Sequence, residues 1–440
     1  MKINLQQSFI KLFILSLIWL LVEGIFRKWL FYSLAGPLFY LKYLMFGLTY
    51  VLFLLGKYPM VKVKHTFHYF VVLFIIVCIY GFFNNRNNNP MVVGVIGLIV
   101  HLIFFPVAHL LQFLLKDLNA IARFSKLLTY ISFPICLLGM IQFYLPTDHP
   151  INGFVNEEQI VARVAGFTRI SSIFSFVKIY NAYLLFCTTF LTGVVLNKLL
   201  KSKSVLLESA AIMLLIINMF MTGSRLSLGL MLFNMFIIGV YAFLSFANLR
   251  KTTIVIFALG LISLVGLYFT TDLFNDPVDA TISRFEEAES RHRTESTGYT
   301  DIQLRLEDRV DIFKFSEYAG WFGYGIGMAY QGAQGFIKRP IPFYFEEEGE
   351  RIVLELGIIG GFLVVMMRLA IFIFAFQILR WCKSTEIKLL ILPLLLYLLP
   401  GIITIQNITY SYLENFIYYF TIGIIIALYK IEQHKLATQN

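Results

Sequence analysis

Charge is scarce in this sequence: only 14% of its 440 residues are Asp, Glu, Lys or Arg, against about 25% in soluble domains. That shortage excludes a water-soluble fold, and a mean hydropathy of +0.76 agrees. Cysteine is nearly missing as well. Cys78, Cys136, Cys187 and Cys382 lie in apolar runs or beside a basic loop, so neither a disulfide framework nor a zinc site is indicated. The seven histidines are scattered, and His101 and His109, on one apolar segment, read as structural or lipid-interface residues. Soluble-enzyme signatures are also lacking: no Walker-type phosphate loop, no His-x-x-x-His pair and no Gly-x-Ser-x-Gly elbow. The run Gly323-x-Gly325-x-Gly327 follows no strand and opens no βαβ unit, which excludes a dinucleotide fingerprint.

What the chain has is long, unbroken apolar runs. At roughly 20 residues per crossing they suffice for about a dozen membrane spans, and continuity without alternation excludes a transmembrane β-barrel. The expected fold is all-α: a polytopic integral membrane protein of about 12 transmembrane helices with one large helical extracytoplasmic loop. Helices are expected near 9–26, 38–56, 67–83, 91–114, 126–144, 173–197, 204–221, 226–247, 253–270, 352–378, 387–404 and 409–429. Residues 1–270 thus carry helices 1–9 with a mid-sized outer loop at 146–172, residues 271–351 form the large loop, and 352–440 hold helices 10–12 and a tail. The first run lacks a small-residue cleavage site and reads as an anchor helix rather than a removed signal peptide. Lys and Arg concentrate in alternate short loops, which predicts cytoplasmic termini by the positive-inside rule. The net charge of +10 does not point to nucleic acid: the segment from Thr271 to Arg351 holds 16 of the 26 acids but only 9 of the 36 basic residues, and the other basic residues sit in short clusters between apolar runs. The lipid bilayer is the expected partner, with no nucleic acid.

An 81-residue outer segment is far longer than an ordinary connection, and such loops are usually functional or disordered. Ile302, Leu306, Val310 and Phe313 fall on one helical stripe. The stretch from Ser283 to Thr300 is polar and charge-mixed, and the glycine-rich run from Gly320 to Gly335 demands an irregular backbone. Arginine marks the outer face: Arg163 and Arg169 end the first outer loop, Arg225 closes the turn Thr222-Gly223-Ser224-Arg225, and Arg305 and Arg309, four apart, share a helical face. Short outer loops normally avoid positive charge. A guanidinium fork fits phosphate bidentately and stays protonated, so convergent arginines can hold a pyrophosphate and stabilise it as a leaving group. For each arginine alone, a lipid-headgroup anchor or a salt bridge competes; Arg305 has Asp301 and Glu307 nearby.

Ionisable residues inside the apolar runs are the second signal. Glu23 and Arg27 are one turn apart and can pair, while Lys178, Glu355 and Glu414 fall near the outer ends of their helices. Each costs roughly 3 kcal/mol at a bilayer centre, so they should face the bundle interior or a wet cavity, unless they snorkel. Arg368 has no role legible in the sequence. The acidic run Glu346-Glu347-Glu348-Gly349-Glu350 precedes the helix expected near Ile352; capping explains part of it, and a carboxylate beside a nucleophile can also act as general base.

Taken in order, these residues resemble the O-antigen ligase and O-antigen polymerase superfamily of bacterial envelopes. The resemblance rests on Arg169-x-x-Ser172-x-Phe174-Ser175, the Thr222–Arg225 turn, Arg309-x-x-x-Phe313, the Gly323-x-Gly325-x-Gly327 run and Leu354-Glu355-Leu356-Gly357-Ile358-Ile359-Gly360. The start Glu23-Gly24-x-x-Arg27-Lys28-Trp29 is similar to a subgroup of uncharacterised polymerase-like members. The resemblance implies glycosyl transfer outside the inner membrane: an undecaprenyl-diphosphate-linked glycan donor, a glycan acceptor, no metal and no other cofactor, and a chain-length regulator protein as a further partner. It implies catalytic roles for Arg169 and Arg309, with Glu346 standing where ligases carry a His; Arg163, Arg225, Arg305 and Glu355 are the candidate substrate-binding residues. Glu at that place favours polymerase over ligase, and the proline usual before the glycine run is missing, with Gly320 near its place. The expected protein is a polysaccharide polymerase; the alternatives are a ligase onto lipid A-core or protein, a flippase of a lipid-linked glycan, and a membrane scaffold. Transporters commonly show internal repeats, and none is visible here.

Overall fold

The computed structural model describes residues 5–56, 58, 65–84, 88–153, 155, 163–164, 166–247, 250, 260, 262, 266, 268–271, 275–283, 286, 311–342 and 345–438. The described residues are 77% helical, and among them nine helices are long and apolar enough to cross a membrane. In chain order the elements are α1 (Leu5–Ile25), which runs on into a π-helical turn at Phe26–Leu30, α2 (Ala35–Leu55), α3 (Phe67–Phe83), α4 (Met91–Leu102), α5 (Val107–Leu110), α6 (Leu118–Tyr144), α7 (Val177–Leu200), α8 (Leu206–Met221), α9 (Arg225–Ser245), the single turn α10 (Ser316–Ala319), α11 (Glu348–Trp381), α12 (Thr385–Ile402) and α13 (Tyr412–Ala437). The shorter apolar helices α3 and α8 fall at expected crossings. The crossing expected at 253–270 lies largely outside the described residues.

Three departures from the sequence expectation have a local reason. The helix expected over 91–114 is interrupted at residues 103–106, where Pro106 has no N–H to donate. The helix expected from 173 begins at Val177, because Ser172 takes a left-handed φ of +49° and the preceding backbone bonds sideways. The helix expected near Ile352 begins at Glu348, so most of the acidic run lies inside its first turn. One two-residue hairpin, Arg163–Val164 against Phe167–Thr168, is the exception to an all-helical description.

The core is assembled around α7, whose whole span is buried, as is most of α13; a helix apolar all round belongs inside a bundle. The outer helices α1, α2, α6 and α9 instead turn Leu15, Leu54, Leu137 and Phe236 outward, an apolar surface suited to lipid. Alternating helix directions gather residues 26–34, 84, 88–90, 222–224 and 403–411 at one end of the bundle, together with the described parts of 145–176 and 271–347. Tyr40 donates to the Gly332 carbonyl, Asn84 to Phe322 and Thr281 to Phe220. This is the loop end.

At the loop end the glycine run enters the bundle. Gly357 breaks α11 with φ +71° and ψ −171°. In a continuous helix the Ile358 and Ile359 amides would donate to Leu354 and Glu355; here they donate to Gly320 and Trp321 at 3.0 and 3.3 Å, while Leu354 and Glu355 accept from Tyr324 and Gly325 at 2.8 and 3.1 Å. The loop therefore replaces bonds the helix gives up. Ile326 extends the insertion by donating to Gly81 of α3 at 3.1 Å. Irregular backbone at this depth is stable only when protein groups satisfy it.

Candidate functional site

Two of the motifs read from the sequence dock on each other. The π-helical turn after α1 carries Arg27 and Lys28 against residues 171–175. Lys28 Nζ donates to Ser171 Oγ, to the Ser172 carbonyl and to the Phe174 carbonyl at 3.0, 3.0 and 3.2 Å. Arg27 Nη1 donates to Ser175 Oγ at 3.1 Å and its Nε to the Ala35 carbonyl at 2.9 Å. Gly24 makes the approach possible, since a Cβ there would lie 2.0 Å from the Ile173 carbonyl oxygen. From the other side Gln142 of α6 accepts from the Ser172 amide at 2.6 Å and donates to the Ser172 carbonyl at 3.2 Å. A non-helical segment inside the bundle is thereby fixed at nearly every polar atom, which is what buried backbone requires.

The predicted Glu23–Arg27 pair is present at 3.4 Å, but Glu23 is shared. Lys42 of α2, fully buried, donates to the other carboxylate oxygen at 2.9 Å and lies 3.4 Å from the Phe39 ring centre and 3.9 Å from that of Tyr412. Two buried cations, Arg27 and Lys42, thus share one buried acid, with Lys28 buried on the neighbouring 171–174 backbone. Lys28 is offset by carbonyl and hydroxyl oxygens and Lys42 also by two aromatic faces. The sequence reading missed Lys42, because a lone Lys amid apolar residues resembles an interfacial anchor.

The outer arginines divide. Arg169 is half-buried and its Nε donates to the Thr222 carbonyl at 2.9 Å, so it joins the turn that ends in Arg225, the half-buried first residue of α9. Arg163 pairs with Thr168 across the hairpin, which sets its backbone one residue from Arg169. One stretch, 169–175, therefore links the Thr222–Arg225 turn to the Arg27–Lys42 cluster. Arg305, Arg309 and most of the expected 302–313 stripe lie outside the described residues.

The acidic run has split its labour. Glu347 and Glu350 form a capping box on α11, and Glu350 also pairs with Lys314 at 3.3 Å. Glu348 is buried in a bidentate pair with Arg368, 2.7 and 3.3 Å, and accepts from the Thr409 and Ile408 amides at 2.6 and 2.9 Å. Arg368 thereby gains the role the sequence did not show. Glu346 remains exposed just outside the helix, its amide donating to Glu350 at 3.0 Å. Glu355 faces the interior: His101 Nε2 lies 2.8 Å from one oxygen and the Ala329 amide donates to the other at 2.7 Å. It anchors the inserted loop. Lys178 is exposed and Glu414 half-buried.

Between these groups runs a line of phenols. Tyr330 of the inserted loop lies close to Tyr43 and, at 6.5 Å between ring centres, to Tyr410. Burial pushes both the Tyr330 and Tyr410 hydroxyls up, so each is a neutral donor at ordinary pH. A separate cleft of about 270 Å³ opens beyond the glycine run, lined by Asn84, Asn89, Gly94 and Met328 among others, with no charged side chain. No group of three or more His, Cys, Asp or Glu suited to a metal occurs among the described residues.

No protein-family model matches the chain, and no curated protein matches it. Fold and side chains define its class: a many-helix membrane-type protein whose loop end concentrates buried cations.

Proposed function

We propose that the chain is a membrane glycosyltransferase that polymerises undecaprenyl-diphosphate-linked oligosaccharide repeat units, extending O-antigen, capsule or exopolysaccharide on the outer face of a bacterial inner membrane, with both termini cytoplasmic. The observation that carries this reading is the 169–175 stretch. Its Ser175 accepts from Arg27, and its Arg169 reaches the Thr222–Arg225 turn. Buried or half-buried cations on separate elements are thus tethered to one segment, the arrangement a diphosphate group needs.

In this mechanism Arg169 and Arg309 bind the donor diphosphate, with Arg163, Arg225 and Arg305 as further substrate-binding residues. An acceptor sugar hydroxyl loses its proton to Glu346 or a neighbouring acid and attacks the donor's anomeric carbon. The new glycosidic C–O bond forms as the bond from that carbon to the phosphate oxygen breaks, and the lipid diphosphate leaves with the electron pair. Glu346 is exposed at the loop end, where an acceptor can reach it. Glu355 enters as the residue that holds the inserted loop in place. Chain length is set by a partner regulator protein.

The test uses purified, reconstituted full chain with lipid-linked repeat units, alone and with a lipid A-core acceptor. Longer lipid-linked chains are the expected product. Core-attached glycan would assign a ligase, movement across the bilayer without bond formation a flippase, and inertness in all three a non-enzymatic scaffold.

A further inference from the structure

Among the described residues, most buried acids at the loop end are paired with a cation or a histidine. Glu348 is taken by Arg368, Glu350 by Lys314, Glu355 by His101 and Glu23 by Arg27 and Lys42. Arg351, in the first turns of α11, keeps only 7% of its surface yet has no ion pair among the described residues. Its Nε donates to the Glu346 carbonyl at 3.1 Å, and its two terminal nitrogens have no hydrogen-bond partner among the described residues. The acids within a turn of it are Glu347, Glu348, Glu350 and Glu355; Glu347 and Glu350 form the capping box, Glu350 also pairs with Lys314, Glu348 with Arg368 and Glu355 with His101. The guanidinium lies 5.5 Å from the Tyr410 ring centre and 5.9 Å from that of Phe345. The Tyr410 hydroxyl is buried near the Glu355 carboxylate and makes no hydrogen bond of standard geometry among the described residues. An unpaired buried cation is costly, and two donor groups side by side define a site for a ligand that brings acceptors.

We propose that Arg351 and Tyr410 form a binding site for an oxyanion of the substrate. The ligand is a phosphate of the lipid diphosphate or the carboxylate of an acidic sugar in the repeat unit; both present two oxygens to a guanidinium fork. Tyr410 faces Tyr330 across 6.5 Å, which puts the site against the inserted loop. The choice between these two ligands rests on the glycosyl-transfer reading, whereas anion binding stands on the geometry alone.

The experiment is a thermal-shift titration of the detergent-purified full chain with inorganic pyrophosphate and, separately, with glucuronate, on wild type, Arg351→Gln and Arg351→Lys. Pyrophosphate should raise the wild-type midpoint, with the shift lost in Arg351→Gln and the apparent Kd weakened about tenfold in Arg351→Lys, which retains charge without the fork. A shift with glucuronate alone assigns the sugar carboxylate instead. Wild type unmoved by either probe, or an Arg351→Gln shift equal to wild type, overturns the proposal. If Arg351→Gln fails to fold, Arg351→Lys decides, and unchanged affinity overturns the proposal. A residue that merely anchors the Glu346 carbonyl would lower the unliganded midpoint and leave the ligand shift intact. Because no turnover is needed, anion binding without polymer formation would refute the reaction and leave this site standing.

Discussion

Gly357→Ala separates a docked loop from a loop that only lies nearby. At φ +71° and ψ −171° Gly357 occupies backbone space essentially closed to residues with a Cβ, at a cost on the order of 1–3 kcal/mol. The added methyl would also sit 2.2 Å from the Trp321 carbonyl oxygen and 2.3 Å from the Phe322 amide nitrogen. Both are backbone atoms in a segment tied to α11 and α3, so neither can yield alone. Relief requires residues 320–326 to withdraw, and each interhelical bond then lost is worth about 0.5–1.5 kcal/mol net. Withdrawal also removes the Ala329 amide from Glu355 and leaves a buried carboxylate half-satisfied. The two routes together place the expected destabilisation at about 3 kcal/mol or more. Gly335→Ala is the control, since a Cβ at that exposed position meets nothing within 4 Å. Chemical unfolding in detergent, read alongside limited proteolysis of residues 311–342, makes the comparison. The reasoning fails if the two variants unfold within about 0.5 kcal/mol of each other and the loop is equally resistant in both.

Arg368→Met strands the Glu348 charge among buried groups and should cost about 3–5 kcal/mol; an unfolding midpoint within error of wild type would contradict the pairing. Lys28→Met removes three hydrogen bonds to residues 171–174, so amide exchange at Ser171–Ser175 should accelerate while exchange in α12 stays put; uniform behaviour would count against the local brace. Arg169→Ala and Arg309→Ala should each lower turnover of a lipid-linked donor by about 10²-fold or more with membrane insertion retained, and exposed Lys178→Ala should leave it unchanged. Wild-type turnover in both arginine variants would remove them from the mechanism.

The sequence announces the helices because apolar runs state their own length, and it announces the Glu23–Arg27 pair because i and i+4 share a helix face. It also marks Gly320–Gly327 and Gly357 as irregular. It does not say that these glycines belong to one joint, since exchanged hydrogen bonds between segments 30 residues apart leave no periodic trace. Arg368 looked purposeless for the same reason: its partner Glu348 is 20 residues away and reached only through the fold. Within the acidic run, four glutamates of identical chemistry received three different roles from position alone. The start of α7 was misplaced because Phe174 and Phe176 continue an apolar run while the Ser172 backbone turns left-handed.

Buried charge at the loop end then resolves into two kinds. One kind replaces the partners that interrupted helices cannot supply: Lys28 and Gln142 hold residues 171–175, Glu355 holds Ala329 in the inserted loop, and Glu348 holds Ile408 and Thr409 where α12 gives way to α13. In a low-dielectric interior an unsatisfied backbone group costs several kcal/mol, so these charges are accounted for by architecture and need no ligand. The other kind is cation left over once that accounting is done. Arg351 has no ion-paired acid among the described residues, and Arg27 and Lys42 divide a single carboxylate. On the proposed reading, an anionic substrate neutralises this surplus positive charge during the working cycle. The two surpluses flank Tyr330, which lies near Arg27 and Glu23 on one side and near Tyr410 on the other. A polymerase brings together two lipid-diphosphate substrates, donor and acceptor, and surplus cations on both sides of one inserted loop are what such an enzyme would need.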